Sequence, residues 1–486
     1  MEGNHSSGYG IHLIVFGALT LSLFFSYYLG LWGDGDRLDE AEELIRQVNR
    51  LVERYIPENT AQVRYIEWNE TKRGTGKTGP NVILVTVEAL RPDHMSLYGY
   101  ERETTPFLDG WGRSQVVFEN AFVPSPWTIP SLGSIQTGLY PGEHGATYGY
   151  MLDKGMSTLP KTMLDAGYDT FSATHSVHDM AEYGLLKGFM ESYTVDHQEV
   201  LGNSSSEINR QVKAWLDDNN GPFFIWIHYF EPHFMYNPQP PYDSMYVEGI
   251  PKEYKLLNRR YCAKNGFKED ELEWFAALYD GEVRYFDESF KGLMGILAER
   301  GLADNTIIAV TSDHGEEFND HGGCDHGASQ YDEVIHVPLI LSIPSKEGRV
   351  IDHQAPVKDL AATLLHYADI SVHKVGGESL HTIVEGMEGG RPIYSAETRY
   401  GPELKAVRTD GLKLIITEGA VDHELYDLAD DQGETENLYH ARGDVASALM
   451  EELDGWVKKT RPKGRSTKAR ISDEAKEKLK DAGYIS

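Results

Sequence analysis

The chain has 486 residues, with 76 acidic against 45 basic side chains and a formal net charge of −31. That field excludes a nucleic-acid binder, which needs a strong basic surface, and an anionic substrate would need the potential reversed locally, most simply by a metal ion. Hydrophobic residues at 40% and aromatics at 11% suffice for a substantial core, and two cysteines, Cys262 and Cys324, make no disulfide framework, their pairing being left open.

In chain order, the first feature is Ile11 to Trp32, IHLIVFGALTLSLFFSYYLGLW, uncharged apart from His12. It is long enough to cross a bilayer as one helix, with Tyr27, Tyr28 and Trp32 where an interfacial belt would sit. It lacks the charged n-region and small-residue cleavage site of a signal peptide, so residues 11–32 are expected to be an uncleaved transmembrane anchor. No Lys or Arg precedes the segment, whereas Arg37, Arg46, Arg50 and Arg54 follow it, a weak bias for placing the bulk inside. Residues 37–80 read as a helical stalk and linker: Leu44, Ile45, Val48, Leu51, Val52 and Ile56 fall at helical spacing, and the polar stretch 69–80 follows. Its GTGKTGP lacks the spacing and preceding strand of a phosphate-binding loop.

Globular structure is expected from Asn81. NVILVTV (81–87), PFFIWIHYF (222–230) and NTIIAVT (305–311) are continuous apolar runs, as in strands covered on both faces of a parallel sheet. Val283, Phe286, Phe290, Leu293 and Leu297 form one face of a helix that Gly301 would stop. The alternation predicts a doubly wound, mainly parallel α/β sheet over residues 81–390. From about Ser395 the texture changes. A hairpin around Thr409-Asp410-Gly411, a short segment at ELYDL and a helix near Val445 to Val457 predict a smaller antiparallel α+β subdomain, with a basic tail, in 391–486. The stretch from Lys458 to Arg470 carries seven basic residues and reads as a solvated linker, or as one attracted to anionic lipid.

In such a sheet ligands bind beyond the carboxyl ends of the strands. The three apolar runs lead there into Glu88, into Glu231-Pro232-His233 and into Asp313-His314. Carboxylates and imidazoles converging from adjacent strands suit Zn²⁺ or Mn²⁺ better than Ca²⁺ or Mg²⁺. A fourth ligand is available from SPWTIPSLGSIQTGLYP (125–141), where Thr128 opens a helix that Gly138 would close. An isolated threonine there is ordinarily an N-cap. Beside a metal, the same hydroxyl becomes a nucleophile.

Together, NVILVTVEALRPDHMSLYGY, the Thr128 loop with TGLYPGEHG, HYFEPHFMY, SDHGEEFNDHG and YDEVIHVPLI resemble the sulfatase branch of the alkaline phosphatase superfamily, and ELYDLADDQGETENL and LKDAGYIS resemble its C-terminal signature. The resemblance spans roughly residues 80 to 486 and implies the alkaline-phosphatase-like fold. It departs where sulfatases oxidise a Cys or Ser of a C-x-P-x-R motif to formylglycine: here the motif reads Thr128-Ile129-Pro130-Ser131-Leu132. The tandem Asp pair is Glu88-Ala89, and the Gly-Lys-x-His element is replaced by TFSATHSVHDM. Glu, Thr, Asp and His in this order resemble the metal site of phosphoethanolamine and phosphoglycerol transferases. The resemblance implies Glu88, Thr128, Asp313 and His314 as metal ligands, Thr128 also as nucleophile, and His233 and His326 as substrate-facing or second-metal histidines.

The expected protein is thus a single-pass, membrane-anchored hydrolase of phosphate mono- or diesters that forms a phosphothreonine intermediate, its catalytic domain outside the cytoplasm as the family implies. The alternatives are a phospho-head-group transferase acting on envelope lipids or glycans, a sulfatase working without formylglycine, and a catalytically silent binding protein. His144, His321 and Cys324 read as structural or loop residues, and Lys413 as either a strand lysine or a contact to a substrate anion.

Overall fold

The computed structural model describes residues 79–175, 180–195, 204–219, 221–247, 249–250, 269–461 and 467–469. The expected anchor, nearly all of the stalk and linker, Cys262, and residues 462–466 and 470 of the basic stretch lie outside the described residues. Among the described residues, no helix is long and apolar enough to cross a membrane.

The three apolar runs form the centre of a nine-stranded sheet: Asn81–Val87 lies between Phe223–Tyr229 and Thr306–Ser312, parallel to both. Beyond Phe223–Tyr229 come Asp169–Thr174 and Glu191–Thr194, also parallel. Beyond Thr306–Ser312 come His336–Ser342, antiparallel to both its neighbours, then Val116–Phe122, with Arg349–Ile351 and Ala355–Pro356 on its far side. The sheet is therefore mixed, with the parallel set at its centre.

The alternation of side chains along a strand explains the unbroken apolar runs. Val82 and Leu84 point into one buried cluster with Trp127, Ile129, Leu132 and Ile135 of the helix Thr128–Thr137. Ile83, Val85 and Val87 point into the other, against Val283, Phe286, Phe290, Leu293 and Leu297 of the helix Glu269–Glu299. Removing each such side chain from water is worth about 1.5–3 kcal/mol, so both faces oppose any register slip that would expose them.

The strands Val116–Phe122, Asp169–Thr174, Glu191–Thr194 and His336–Ser342 were not expected from the sequence. Asp169–Thr174 shows the reason: Phe171 is its one large apolar side chain, and the rest of what it buries is Ala173 and the hydroxyls of Thr170, Ser172 and Thr174.

The expected second layer begins at Ile393. Ile393–Ser395, Leu404–Arg408, Leu412–Thr417 and Glu424–Asp427 form an antiparallel sheet, with Arg408 opposite Lys413 across the predicted turn. Ala446, Leu449, Leu453 and Trp456, at helical spacing on Gly443–Lys459, cover Val407, Leu414 and Leu425 of that sheet.

Candidate active site

Register places the chemistry. Val87 pairs with Tyr229 on one side and with Ser312 on the other, so Glu88 and Asp313 leave adjacent strands at the same level. After Glu88 the chain turns through Ala89, whose φ is +55°. The Ala89 and His314 N–H groups both donate to Asp313 Oδ1, at 3.2 and 3.0 Å. Asp313 Oδ2 is buried and accepts no hydrogen bond.

Thr128 reaches the same point from the helix Thr128–Thr137. Its hydroxyl is not a cap: the N-cap residue is Trp127, with no side-chain cap bond, and Thr128 is the first helical residue. Pro130 costs the helix nothing in its first turn, where its missing N–H has no intrahelical acceptor. Thr128 Oγ1 donates to Glu88 Oε1 at 2.7 Å and lies 3.2 Å from His314 Nε2.

The arrangement has more lone pairs than protons. His314 Nδ1 donates to the Gly315 carbonyl at 2.8 Å, leaving Nε2 as an acceptor. Burial pushes this imidazole well below its ordinary pKa, so it is neutral. The single Thr128 hydrogen is committed to Glu88. With both carboxylates ionised, His314 Nε2 faces Thr128 Oγ1 at 3.2 Å and Asp313 Oδ2 at 3.4 Å with no hydrogen to share. Buried acceptors in mutual contact are costly unless a cation sits among them, and this donor set of carboxylate, carboxylate, imidazole and hydroxyl fits a divalent metal. Burial and the Glu88 charge raise the Asp313 carboxyl to about 8 in the absence of a cation, a shift that a bound cation would reverse.

The two further histidines adjoin this centre. His233 Nδ1 donates to the Phe234 carbonyl at 3.0 Å, its ring stacks on Phe230, and its Nε2 lies 4.0 Å from Glu88 Oε1. Burial lowers its pKa to about 4. The ring of His326 is 4.0 Å from that of His314 and 5.3 Å from that of His233. Its Nδ1 lies 2.9 Å from Asp325 Oδ1 and 3.2 Å from Glu316 Oε1. Burial opposes the charge on His326, but the two carboxylates outweigh it and raise the pKa to about 10. All six expected site residues therefore converge.

Other expectations need correction. Glu231, at the end of the second run, turns away and accepts from Ser204 N, Ser204 Oγ and Ser205 Oγ. Lys413 contacts no substrate space: it is buried and lies 2.8 Å from Asp332 Oδ1 and 2.8 Å from Glu434 Oε1. His321 is a loop residue held in place, 2.6 Å from Glu333 and stacked on Tyr331. His144 is structural as expected: Nδ1 accepts from Ala146 N, and Nε2 faces Pro130 O and Ser134 Oγ of the Thr128 helix. A polar cavity of about 880 Å³, lined by Arg91, Asp332, His336 and Arg408 among others, includes none of the six.

Sequence reasoning missed His228, Glu316 and Asp325. His228 Nε2 lies 2.7 Å from Glu88 Oε2, and Glu88, His228 and Asp313 each offer an atom within 4.8 Å of the others. Its signal was present: an imidazole inside a strand buried on both faces must have a polar partner. Burial alone would raise Glu88, but the hydrogen bond and charge of His228 hold its carboxyl well below the usual range.

A sulfatase family model matches residues 80–370, and a model described as N-sulphoglucosamine sulphohydrolase, C-terminal, matches residues 320–461. The arylsulfatase of Clostridium perfringens is 26% identical over 463 residues, covering 77% of this chain and 95% of that protein. The N-acetylglucosamine-6-O-sulfatase of Bacteroides thetaiotaomicron is 24% identical over 510 residues, covering 82% and 89%. Among solved structures, the phosphonate monoester hydrolase of Agrobacterium radiobacter superposes with a TM-score of 0.66 at 20% identity, covering 78% of this chain and 96% of that one. A protein solved with its substrate D-glucosamine-2-N,6-O-disulfate also gives 0.66, at 21% identity, covering 79% and 98%. These two likenesses establish the fold. By the family match over residues 80–370, more than half its length, the chain belongs to the sulfatase family, and as a member it is a metal-dependent hydrolase acting on ester bonds.

Proposed function

We propose that this chain hydrolyses phosphate monoesters or diesters with Thr128 as nucleophile, anchored to a membrane through residues 11–32 with its catalytic domain outside the cytoplasm. The observation that carries the reading is the Thr128 hydroxyl, 2.7 Å from Glu88 Oε1 and 3.2 Å from His314 Nε2, at the position where a sulfatase has its oxidisable Cys or Ser. Glu88, Thr128, Asp313 and His314 would hold a divalent cation, Zn²⁺ or Mn²⁺, which supplies Lewis-acid charge that eases loss of the Thr128 proton and offsets charge on the transferring group.

Thr128 Oγ1 attacks phosphorus in line; the bond from phosphorus to the leaving oxygen breaks, and the product is phosphothreonine and an alcohol. The hydrogen bond to Glu88 Oε1 orients the hydroxyl and gives its proton an acceptor. His326, held between Asp325 and Glu316 and protonated, protonates the leaving oxygen or binds the anionic group, while the neutral His233 lines the site beside Glu88. Water then cleaves the phosphorus–Thr128 bond and restores the hydroxyl, releasing inorganic phosphate from a monoester substrate, or a phosphate monoester where a diester leaves its second ester group on the intermediate. The N-terminus of Thr128–Thr137 adds a favourable dipole for the negative charge that develops there.

The test offers matched p-nitrophenyl phosphate, phosphodiester, phosphonate and sulfate esters, with Mn²⁺ or Zn²⁺, to the protein and to Thr128→Ala and Asp313→Ala. Metal-dependent phosphoester cleavage lost in both variants, with phosphate on Thr128 detected by peptide mass spectrometry after a rapid acid quench, supports the reading. Sulfate-ester cleavage that survives in Thr128→Ala overturns it. A second reading, sulfate-ester hydrolysis without formylglycine, is favoured by the sulfatase names of the similar proteins; it requires sulfate esters to be the better substrates and Thr128 still to be essential. If metal binds and no ester is cleaved in water, the head-group transferase reading takes precedence and lipid acceptors are tested.

A further inference from the structure

The resemblance leaves one vacancy in the ligand set: where sulfatases have a second carboxylate, this chain has Ala89, which gives Asp313 a backbone N–H and nothing more. On the other side of Glu88 stands His228. It lies on Phe223–Tyr229 as the register partner of Thr86, fully buried. Its Nε2 is 2.7 Å from Glu88 Oε2, and it forms with Glu88 and Asp313 a set of atoms close enough to share one ion. We infer that His228 is a nitrogen ligand of the divalent-cation site, filling the place that residue 89 leaves empty. The inference rests on the Glu88–Asp313 metal centre of the proposed function.

The hydrogen bonding behind His228 allows both states that this role needs. Nδ1 lies 2.8 Å from Thr86 Oγ1. That hydroxyl already accepts from Trp226 Nε1 at 2.9 Å, and its own hydrogen has two acceptors in reach, His228 Nδ1 and the Ile227 carbonyl at 3.3 Å. When Thr86 donates to Nδ1, His228 carries its hydrogen on Nε2 and gives it to Glu88. When Thr86 donates to the Ile227 carbonyl, it accepts from Nδ1–H, and the Nε2 lone pair faces the space between Glu88 and Asp313. A ligating histidine needs such a partner on its other nitrogen, which fixes the tautomer. With His228 the set has two imidazoles, two carboxylates and a hydroxyl. This favours Zn²⁺ or Mn²⁺ over Ca²⁺, which prefers an all-oxygen shell.

The test is metal binding by the full chain, stripped of metal and then titrated calorimetrically with Zn²⁺, Mn²⁺ and Ca²⁺. X-ray absorption of the Co²⁺-loaded protein counts the imidazoles. His228→Gln keeps a donor for Glu88 and removes the imidazole. The expected results are a Zn²⁺ affinity lower by about 100-fold or more, beyond the roughly 10–100-fold usual for an outer partner, an imidazole count falling from two to one, and little change for Ca²⁺. Thr86→Val, which leaves Nδ1–H without its acceptor, should cost about 10-fold in Zn²⁺ affinity and keep the count at two. A His228→Gln protein that binds Zn²⁺ within threefold of wild type, its imidazole count unchanged, overturns the inference and leaves His228 as a donor that orients Glu88. A wild-type protein that binds no metal overturns the metal-centre reading itself, so the two failures are distinct. If His228→Gln does not fold, Thr86→Val and the wild-type imidazole count still decide, since a count of one refutes the assignment.

Discussion

Lys413→Met separates a structural lysine from a substrate contact. In the fold, Lys413 is buried with Asp332 at 2.8 Å and Glu434 at 2.8 Å, while Asp332 also pairs with Arg408 at 3.1 Å. Methionine keeps most of the volume and removes the charge. Asp332 retains Arg408 and stays ionised; Glu434 loses its cation. Breaking a buried pair by removing one partner costs about 3–5 kcal/mol. Protonation of Glu434 limits this, because burial already raises its pKa to about 7 against 4.5, so the lower end, about 3 kcal/mol, is expected at neutral pH. For a chain of this size that lowers Tm by roughly 3 °C.

The pH dependence carries a sign. A carboxyl raised in the fold contributes stability that is fully present below its unfolded pKa and lost as pH rises through the folded one, here between about 4.5 and 7. Without Lys413 the folded pKa of Glu434 rises further, so the deficit of the variant should grow from pH 5 to pH 8. Adding Glu434→Gln should recover much of it. Differential scanning calorimetry at pH 5, 6.5 and 8, with kcat/KM on the best ester, makes the comparison. A Tm change under about 1 °C together with a raised KM would refute the reasoning and return Lys413 to the substrate.

Thr128→Val keeps the side-chain shape and should lower kcat/KM on phosphoesters by about 10³-fold or more, while Thr128→Ser retains measurable turnover; a valine variant above a tenth of wild-type activity excludes the nucleophile. Gly133→Ala would place a Cβ 2.7 Å from His144 Cε1, so overpacking of about 1–3 kcal/mol should appear as a lower Tm, with kcat falling as the Thr128 helix shifts. The Glu333 hydrogen bond and charge outweigh burial and raise His321 to about 9 from 6.5. The stability it contributes is full below pH 6.5 and lost as pH rises through 9, so His321→Gln should flatten the alkaline limb of a Tm–pH profile.

How much of this was legible depends on where the information lies along the chain. NVILVTV could be read because a strand buried on both faces writes its environment in its own seven residues, and Glu88 and Asp313 follow because ligands gather at such strand ends. The Thr128 helix was marked at both ends, by its prolines and by Gly138, whose φ of +74° a side chain rarely adopts. His228 was hidden in a run that reads as pure core, since its partner Glu88 is 140 residues away. The ambiguity over Lys413 has the same origin: Asp332 is 81 positions distant, and nothing local distinguishes a paired buried lysine from an exposed one. Strands such as Asp169–Thr174 carry a weak apolar signal, since between Phe171 and Ala173 they bury the hydroxyls of Thr170, Ser172 and Thr174.

The departures from the sulfatase pattern make sense as a set when charge is followed. Replacing the motif arginine by Leu132 removes a positive charge, and replacing the second aspartate by Ala89 removes a negative one, so these two changes offset one another. Either change alone would leave a buried charge uncompensated. Leu132, one helical turn beyond Thr128, is fully buried in the same cluster as Ile129 and Ile135, surroundings in which an unpaired guanidinium is costly. The arginine normally helps to hold the oxidised nucleophile of the family; a threonine that hydrogen-bonds Glu88 and faces His314 has no aldehyde hydrate to hold. His228, a neutral ligand, can replace a carboxylate only if that charge is no longer needed to balance the arginine. Restoring Arg at 132 without Asp at 89 should therefore destabilise the centre, read as a lower Tm, rather than return it to sulfatase chemistry.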